Sequence, residues 1–207
     1  MQHNNLLKKA ILALLLCVAM PTLNAQVHVG DILCEGNAIV SPANYPSSGA
    51  TAIGVVFYVD NTGQHGWAIA LEDAGSFRWG CMGYDILPHY GNRRQALYDL
   101  DGYENTRIVR ENCTDAPAFY AVDFENGWYV PAFGQLNYLY GNLVEVNASL
   151  KVVGGNVFPI SSWTYWSSTE TNSYDAWYLS SSGEFANDSY YGYSNNNSRL
   201  VRAARNF

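Results

Sequence analysis

The chain has 207 residues, of which 48% are hydrophobic and 14% are charged, and its formal net charge is −7. This length is enough for one domain with a substantial core. The acidic balance excludes a nucleic-acid partner, because phosphate binding requires a basic face.

Residues 1–25 have the pattern of a secretory signal peptide. Lys8 and Lys9 precede an apolar run at 10–20 that is too short to cross a bilayer, and Ala25 is a plausible processing site. Loss of the two lysines takes the net charge from −7 to −9. The sequence therefore predicts export across the inner membrane, to the periplasm, the cell surface or the medium, with no membrane span in the mature chain.

Three cysteines remain after processing, namely Cys34, Cys81 and Cys113. An odd number permits at most one internal disulfide, and the sequence does not choose the pair. An oxidising compartment allows such a bridge. No Cys-x-x-Cys or His-rich spacing indicates a metal site, and no cofactor is expected.

The first part of the mature chain, 26–52, is predicted to be an extension with a short strand at 29–33 and a loop at 41–49. The β-branched and aromatic run at 53–59 is the clearest strand, and 66–71 is its hairpin partner. Both runs are almost continuously apolar, so this hairpin is expected in the core.

The middle of the chain is predicted to be mostly helical. Leu136, Leu139, Tyr140 and Leu143 form one apolar stripe and predict the best helix of the chain. The expected segments are a core-covering loop at 75–83, helical turns at 92–100 and 102–112, a helix from an N-cap at Asp115 to Val122, a strand at 127–131, a helix at 131–143 and a surface connection at 147–159.

The last third, from 161 to 207, combines short strands with polar loops; the strands are predicted at 165–168, 176–180, 184–188 and 200–204. Ser, Tyr and Asn supply more than half of residues 161–198, and this stretch has no Lys or Arg. Tyrosine offers a stiff contact surface while Ser and Asn adapt their hydrogen bonds, which is typical of binding loops. The alternative is a solvated hairpin region, because Ser, Asn and Gly also populate ordinary turns.

A series of five motifs resembles a secreted bacterial family. The motifs are GWYVP at 127–131, QL at 135–136, YWSSTE at 165–170, AW at 176–177 with Gly183, and VRAARNF at 201–207. The family is the one named for the C-terminal domain of Legionella collagen-like proteins. The hairpin at 53–71 fits it too, so the likeness covers 53–207.

This resemblance implies a C-type-lectin-like fold, shared with formylglycine-generating enzymes. The expected class is α+β, with small antiparallel sheets, two or three helices and long loops. The family implies tryptophan-rich core segments and a variable loop face that binds glycans or host-surface polymers. The sugar site of calcium-dependent lectins is not expected, because the Glu-Pro-Asn, Gln-Pro-Asp and Trp-Asn-Asp triplets are absent.

An enzyme is not predicted. His28, His65 and His89 are scattered, and Ser167 lacks a Gly-x-Ser-x-Gly elbow. Cys81 and Cys113 could mimic the copper-binding thiols of the formylglycine-generating relatives, but their surroundings differ from that motif and favour a disulfide. Trp128, Trp166 and Trp177 are expected in the core, and Arg199, Arg202 and Arg205 as strand-edge charges paired with acidic residues.

The sequence thus predicts a secreted, non-enzymatic module that binds an extracellular glycan or protein. The alternative is a structural or interaction subunit of a bacterial surface assembly, and a further alternative is a binding protein diversified by a retroelement. The candidate ligand-binding residues are Tyr174, Asp175, Tyr178, Asn187, Asp188, Tyr190, Tyr191, Tyr193, Asn195 and Asn196.

Overall fold

The longest strand of the first sheet comes from an apolar, largely β-branched and aromatic run and lies in the interior of a six-stranded sheet. This run, Ala52–Val59, is β3 in the computed structural model, which describes residues 26–183 and 198–207 in full and the backbone of Phe185–Ser189. The other strands are β1 Ile32–Cys34, β2 Ile39–Val40, β4 Gly66–Ala70, β5 Gly75–Phe77, β6 Trp128–Tyr129, β7 Thr164–Asn172, β8 Asp175–Ser180, β9 Phe185–Ser189, β10 Arg199–Val201 and β11 Ala204–Asn206.

Two sheets carry these strands. The first has the order β2-β1-β3-β4-β11-β6 and the second the order β5-β10-β7-β8-β9. Antiparallel pairing prevails, and β10 pairs with β7 in parallel. The segment before residue 53 contributes β1 and β2 to the first sheet, where β1 pairs directly with β3.

Three helices of nine residues or more cover the sheets, in agreement with the predicted α+β class. The helices are α1 Tyr45–Ser48, α2 Arg93–Ala96, α3 Gly102–Asn112, α4 Pro117–Tyr120, α5 Phe133–Gly141 and α6 Leu143–Val153, with 3-10 turns at Glu35–Asn37 and Phe124–Asn126. Among the described residues, no helix is long and apolar enough to cross a membrane.

The core has two main parts. In one, Leu136 and Leu139 of α5 and Leu150 of α6 pack with β3 and β4, as the apolar stripe predicts. In the other, Trp79 and Trp166 pack between α3, α4 and the second sheet. The tryptophans at 166 and 177 are buried as predicted, whereas Trp128 is only partly buried.

The predicted surface connection at 147–159 is wrong over its first half. Residues up to Val153 belong to α6, in which Val146 and Leu150 are completely buried. Positions i and i+4 share one helix face, so this pair forms a core-facing stripe. The helix ends at Gly154, whose φ of 74° is the left-handed conformation that glycine adopts at low cost.

The predicted final strand at 200–204 is also wrong, because two strands replace it. β10 lies in the second sheet and β11 in the first, so the chain changes sheets at Arg202 and Ala203. Neither residue forms part of a strand, and both are buried. The C-terminal segment therefore joins the two sheets.

Three smaller differences concern loops and caps. Part of the predicted loop at 75–83 is β5, which pairs with β10. The helix predicted to begin at Asp115 is α4, and the Asp115 carboxylate pairs with Arg78 at 3.0 Å instead of capping it. Only Arg93–Ala96 of the predicted helical turn at 92–100 is helical, with Asn92 accepting a hydrogen bond from the Gln95 N–H.

The structure pairs Cys81 with Cys113 in a disulfide, as the surroundings of these two residues favour, and leaves Cys34 free and buried. The bridge joins the loop after β5 to the end of α3 and closes a sequence separation of 32 residues. A loop of this length is expected to stabilise the fold by about 3–4 kcal/mol. A disulfide fits an extracytoplasmic location.

Candidate functional site

Two of the predicted binding residues lie at the turn between β7 and β8. Tyr174 is 46% exposed, and its backbone N–H donates to the Asn172 side chain at 2.8 Å. The Asp175 carboxylate accepts a hydrogen bond from the same Asn172 side chain at 2.8 Å. Asn172 therefore holds the turn in one conformation and leaves the Tyr174 ring at the surface.

Tyr178 lies further along β8 and is half-buried. The Arg199 guanidinium carbon is 3.7 Å from the centre of its ring, and the edge of Trp166 is turned toward it at 6.1 Å between ring centres. A cation against an aromatic face is stabilising. Tyr178 therefore has a packing role within the second sheet besides any role in binding.

The other predicted binding residues are only partly covered by the structure. Asn187 and Asp188 lie in β9, opposite Trp177 and Ala176 of β8, and only their backbone is described. Tyr190, Tyr191, Tyr193, Asn195 and Asn196 lie outside the described residues. Their role in binding, and the hypothesis of retroelement diversification, stay predictions.

The structure adds two residues to the surface around Tyr174. The Gly83 N–H donates to the Ser173 carbonyl at 2.8 Å, which brings the loop after Cys81 against the β7–β8 turn. Met82 and Tyr84 of this loop are 38% and 65% exposed. Met82, Tyr84 and Tyr174 are together called the aromatic patch, after its two tyrosines. The Cys81–Cys113 disulfide fixes the start of the loop that carries Met82 and Tyr84.

A buried polar segment supports this surface from beneath. Ser167, Ser168, Thr169 and Glu170 of β7 are all fully buried. The Ser167 hydroxyl donates to the Trp177 carbonyl at 2.7 Å, and Glu170 accepts from the Leu87 N–H at 3.0 Å. Because buried polar groups need partners, these hydrogen bonds hold β8 and the loop at Leu87 against β7.

Asp99 is the charged centre of this polar segment. It is 3% exposed and accepts hydrogen bonds from the Thr169 hydroxyl at 2.7 Å and the Asn105 amide at 3.0 Å. Burial raises the pKa of the Asp99 carboxyl, although the hydrogen bond from Thr169 opposes the shift. This carboxyl ties the loop before α3 to α3 and to β7, which is a structural role.

A second surface feature is a cleft where the two sheets meet. It has a volume of about 370 Å³ and lies between the end of β4, the residues after α4 and the β10–β11 crossing. Trp128 and Val122 line it, and Glu72, Asp73 and Asp123 are its acidic residues. This feature is called the acidic cleft. None of its residues was predicted as a site, because they come from distant parts of the chain.

The described residues contain no group of three or more His, Cys, Asp or Glu side chains that could hold a metal ion. His89 has two carboxylate neighbours, with its Nε2 3.2 Å from Asp85 and 3.7 Å from Glu170. Glu170 is fully buried and Asp85 is exposed, so His89 links a core carboxylate to the surface.

The same arrangement of elements is found in a known bacterial protein. The structure resembles that of a fimbrial protein from Bacteroides ovatus, with a TM-score of 0.64, 21% identical residues and coverage of 87% of this chain. The chain shares its fold with a fimbrial protein. It spans about half of that protein, because the alignment covers 49% of it.

Sequence comparisons do not extend this likeness. No protein-family model matches the chain, and no curated protein matches it. The resemblance to the Legionella collagen-like family and the C-type-lectin-like assignment therefore stay predictions. At 21% identity the likeness to the fimbrial protein shows a common fold alone.

Proposed function

We propose that the protein is a structural or interaction subunit of a bacterial surface assembly. The observation that carries this proposal is the shared fold, because 87% of the chain aligns with about half of a fimbrial protein. A fold that forms part of a longer fimbrial protein is suited to serve as one unit among several that pack together.

The disulfide and the aromatic patch support this proposal. The Cys81–Cys113 bridge fits an exported protein that works at the cell surface. The patch presents Met82, Tyr84 and Tyr174 on a loop and a turn that hydrogen bonds hold to a rigid scaffold. Exposed apolar groups on such loops are typical of contact surfaces between proteins.

Binding of a separate glycan or protein ligand is the second candidate function. The exposed rings of Tyr174 and Tyr84, on two segments joined by a backbone hydrogen bond, favour it, because rigid aromatic side chains also serve as anchors for ligands. In this case the isolated monomer binds its ligand, whereas an assembly subunit needs neighbouring subunits. The two functions therefore differ in what the purified monomer does.

Fractionation of the producing bacterium tests the proposal. Material sheared from the cell surface is separated by size, and the protein is detected with an antibody. We expect it in a high-mass fraction together with other exported proteins. The Tyr84→Ala/Tyr174→Ala variant should enter that fraction at least fivefold less, while Tyr98→Ala, which removes another exposed ring, should behave as wild type.

The proposal fails if the protein occurs only as a free monomer in sheared material and medium. Specific binding of that monomer to a glycan or protein array would then establish the second candidate function. The array measurement uses the same purified protein, so one preparation distinguishes the two outcomes.

A further inference from the structure

The acidic cleft lies at a structurally defined junction. Its lining includes Ile53 of β3, the end of β4, and Val122 and Asp123, which follow α4. The Ala74 N–H donates to the Val201 carbonyl at 2.8 Å, and the Ala70 N–H to the Ala203 carbonyl at 2.9 Å. Backbone hydrogen bonds therefore fix the loop that forms the rim.

Small and apolar side chains keep the cleft open. Four alanines line it (Ala70, Ala74, Ala121 and Ala203), and the apolar surface is completed by side chains such as Trp128 and Val122. Protein interiors are otherwise close-packed, so a cleft of about 370 Å³ between two sheets is space that a side chain of another molecule can fill.

The charged residues that line the cleft are all acidic. Asp73 is neutralised inside the fold, because the Arg202 guanidinium lies 2.6 Å from it. Glu72 and Asp123 are exposed and form no ion pair with any described residue. Asp123 accepts a hydrogen bond from the Asn126 amide at 2.8 Å, which orients its carboxylate. Arg205 is the cation near Trp128, 5.9 Å from its ring centre, and it does not line the cleft.

We propose that the acidic cleft receives a lysine or arginine side chain from a partner protein. The methylene stem of such a side chain would cover the alanines and Trp128, and its cationic head would lie between Glu72 and Asp123. Long cationic side chains commonly bury their stems on apolar surface while the charge stays at the rim. The ring of Trp128 adds attraction for a cation.

This inference rests on the proposed function, because it states the chemistry of the partner that a surface assembly would supply. The net charge, which is −7 for the whole sequence and −9 after loss of Lys8 and Lys9, agrees with a partner of opposite charge. The two outcomes remain separable, because occupancy of the cleft is measured on the purified protein and incorporation into an assembly is measured on cells.

The test is an NMR titration of the purified protein with n-butylammonium, which stands in for a lysine side chain. The sequence has six tryptophans, so six indole N–H signals are expected, and Trp128→Phe identifies the one in the cleft. We expect a saturable shift of the Trp128 signal with a dissociation constant on the order of millimolar, as suits so small a ligand. The signals of buried Trp79 and Trp166 should not move.

Variants separate a charge-selective cleft from a merely apolar one. Glu72→Gln/Asp123→Asn should weaken butylammonium binding at least fivefold, and Ala121→Leu should abolish it by filling the space. Glu145→Gln, which removes an exposed carboxylate on α6, is the matched control and should bind as wild type. Pentanoate, which has the opposite charge, should not shift the Trp128 signal.

Two results would overturn the proposal. One is the absence of a saturable shift at Trp128. The other is equal binding of butylammonium and neutral butanol that the Glu72→Gln/Asp123→Asn variant leaves unchanged, which would define an apolar cavity without selectivity for cations. In either case the fractionation of surface material still decides the proposed function by itself.

Discussion

The three C-terminal arginines show how far a residue's role depends on distant partners. The sequence predicts Arg199, Arg202 and Arg205 as strand-edge charges. Arg199 instead stacks on Tyr178, and Arg205 lies near Trp128. Arg202 pairs with an acidic residue, Asp73, as expected, but it is only 2% exposed and lies between two strands and not at a strand edge.

No local pattern could have predicted the environment of Arg202. Its Nε lies 2.6 Å from the carboxylate of Asp73, which is 129 residues away, and its Nη1 donates to the Asn156 carbonyl at 2.6 Å. The Tyr165 hydroxyl donates to the same carboxylate at 2.8 Å. The pair forms only because the chain changes sheets at Arg202.

We expect Arg202→Met to lower the free energy of unfolding by about 3–5 kcal/mol, because it leaves the partly buried carboxylate of Asp73 without its cation. Urea denaturation measures this change. Arg205→Met is the control and should cost less than about 1 kcal/mol, since that side chain is more exposed. A second substitution, Asp73→Asn, should recover part of the loss; equal losses for the two arginines would contradict the structural role of Arg202.

Asp99 leads to a pH-dependent prediction. Because burial raises the pKa of this carboxyl above its ordinary value of 3.8, the folded state holds the proton more tightly than the unfolded state. The stabilisation from this group is fully present below pH 3.8 and is lost as the pH rises through the raised pKa. The stability of wild type relative to Asp99→Asn should therefore be highest at acidic pH and fall toward neutrality.

Urea denaturation of wild type and Asp99→Asn between pH 3 and pH 7 measures this trend. Only the difference between the two proteins matters, because other groups titrate in both. A difference that stays constant, or that grows as the pH rises, would show that burial does not dominate the environment of Asp99.

At the scale of elements, local patterns predict the helices and strands that have a periodic apolar sequence, and they do not locate the shortest strands. The hairpin of β3 and β4 is confirmed from its apolar runs, and α5 from its stripe. The predicted stripe nevertheless extends over two helices. Asn142 leaves the helical conformation, so Leu136, Leu139 and Tyr140 belong to α5 and Leu143 is the first residue of α6. β5, β10 and β11 have three residues each, and no periodic pattern in the sequence marks their boundaries.

For α6 the difference between sequence and structure has another cause. Gly154 with Gly155 is typical of a loop, although Val146 and Leu150 have the spacing of a buried helix face. Those glycines terminate the helix and say little about the residues before them.

We expect Leu150→Ala to destabilise the protein by about 2–5 kcal/mol, because Leu150 is fully buried and the truncation leaves a cavity. Val144→Ala on the same helix is the control, since Val144 is 80% exposed and the change should cost within about 0.5 kcal/mol. Thermal unfolding compares the two variants. Similar melting temperatures would place Leu150 outside the core.

At the scale of the whole molecule, the candidate sites combine segments that are far apart in sequence. Composition pointed to Tyr174, which is exposed as expected. Composition does not indicate Met82 and Tyr84, because only a tertiary contact, the hydrogen bond between Gly83 and Ser173, brings their loop to the same surface. The acidic cleft joins β4, the segment after α4 and the C-terminal crossing, so only the tertiary structure reveals it.

The two surface features suggest how such a unit could join neighbours. The aromatic patch and the acidic cleft are built from different segments, and both rest on fixed backbone. The proposed assembly role requires at least one such contact surface on each subunit.

The most direct test of the assembly role is immuno-electron microscopy of intact producing cells with an antibody against the protein. The account predicts gold label on surface structures, absent in a strain that lacks the gene and restored when the gene is returned. Label that is confined to the cell interior, or a protein found only free in the medium while surface structures stay unlabelled, would contradict it.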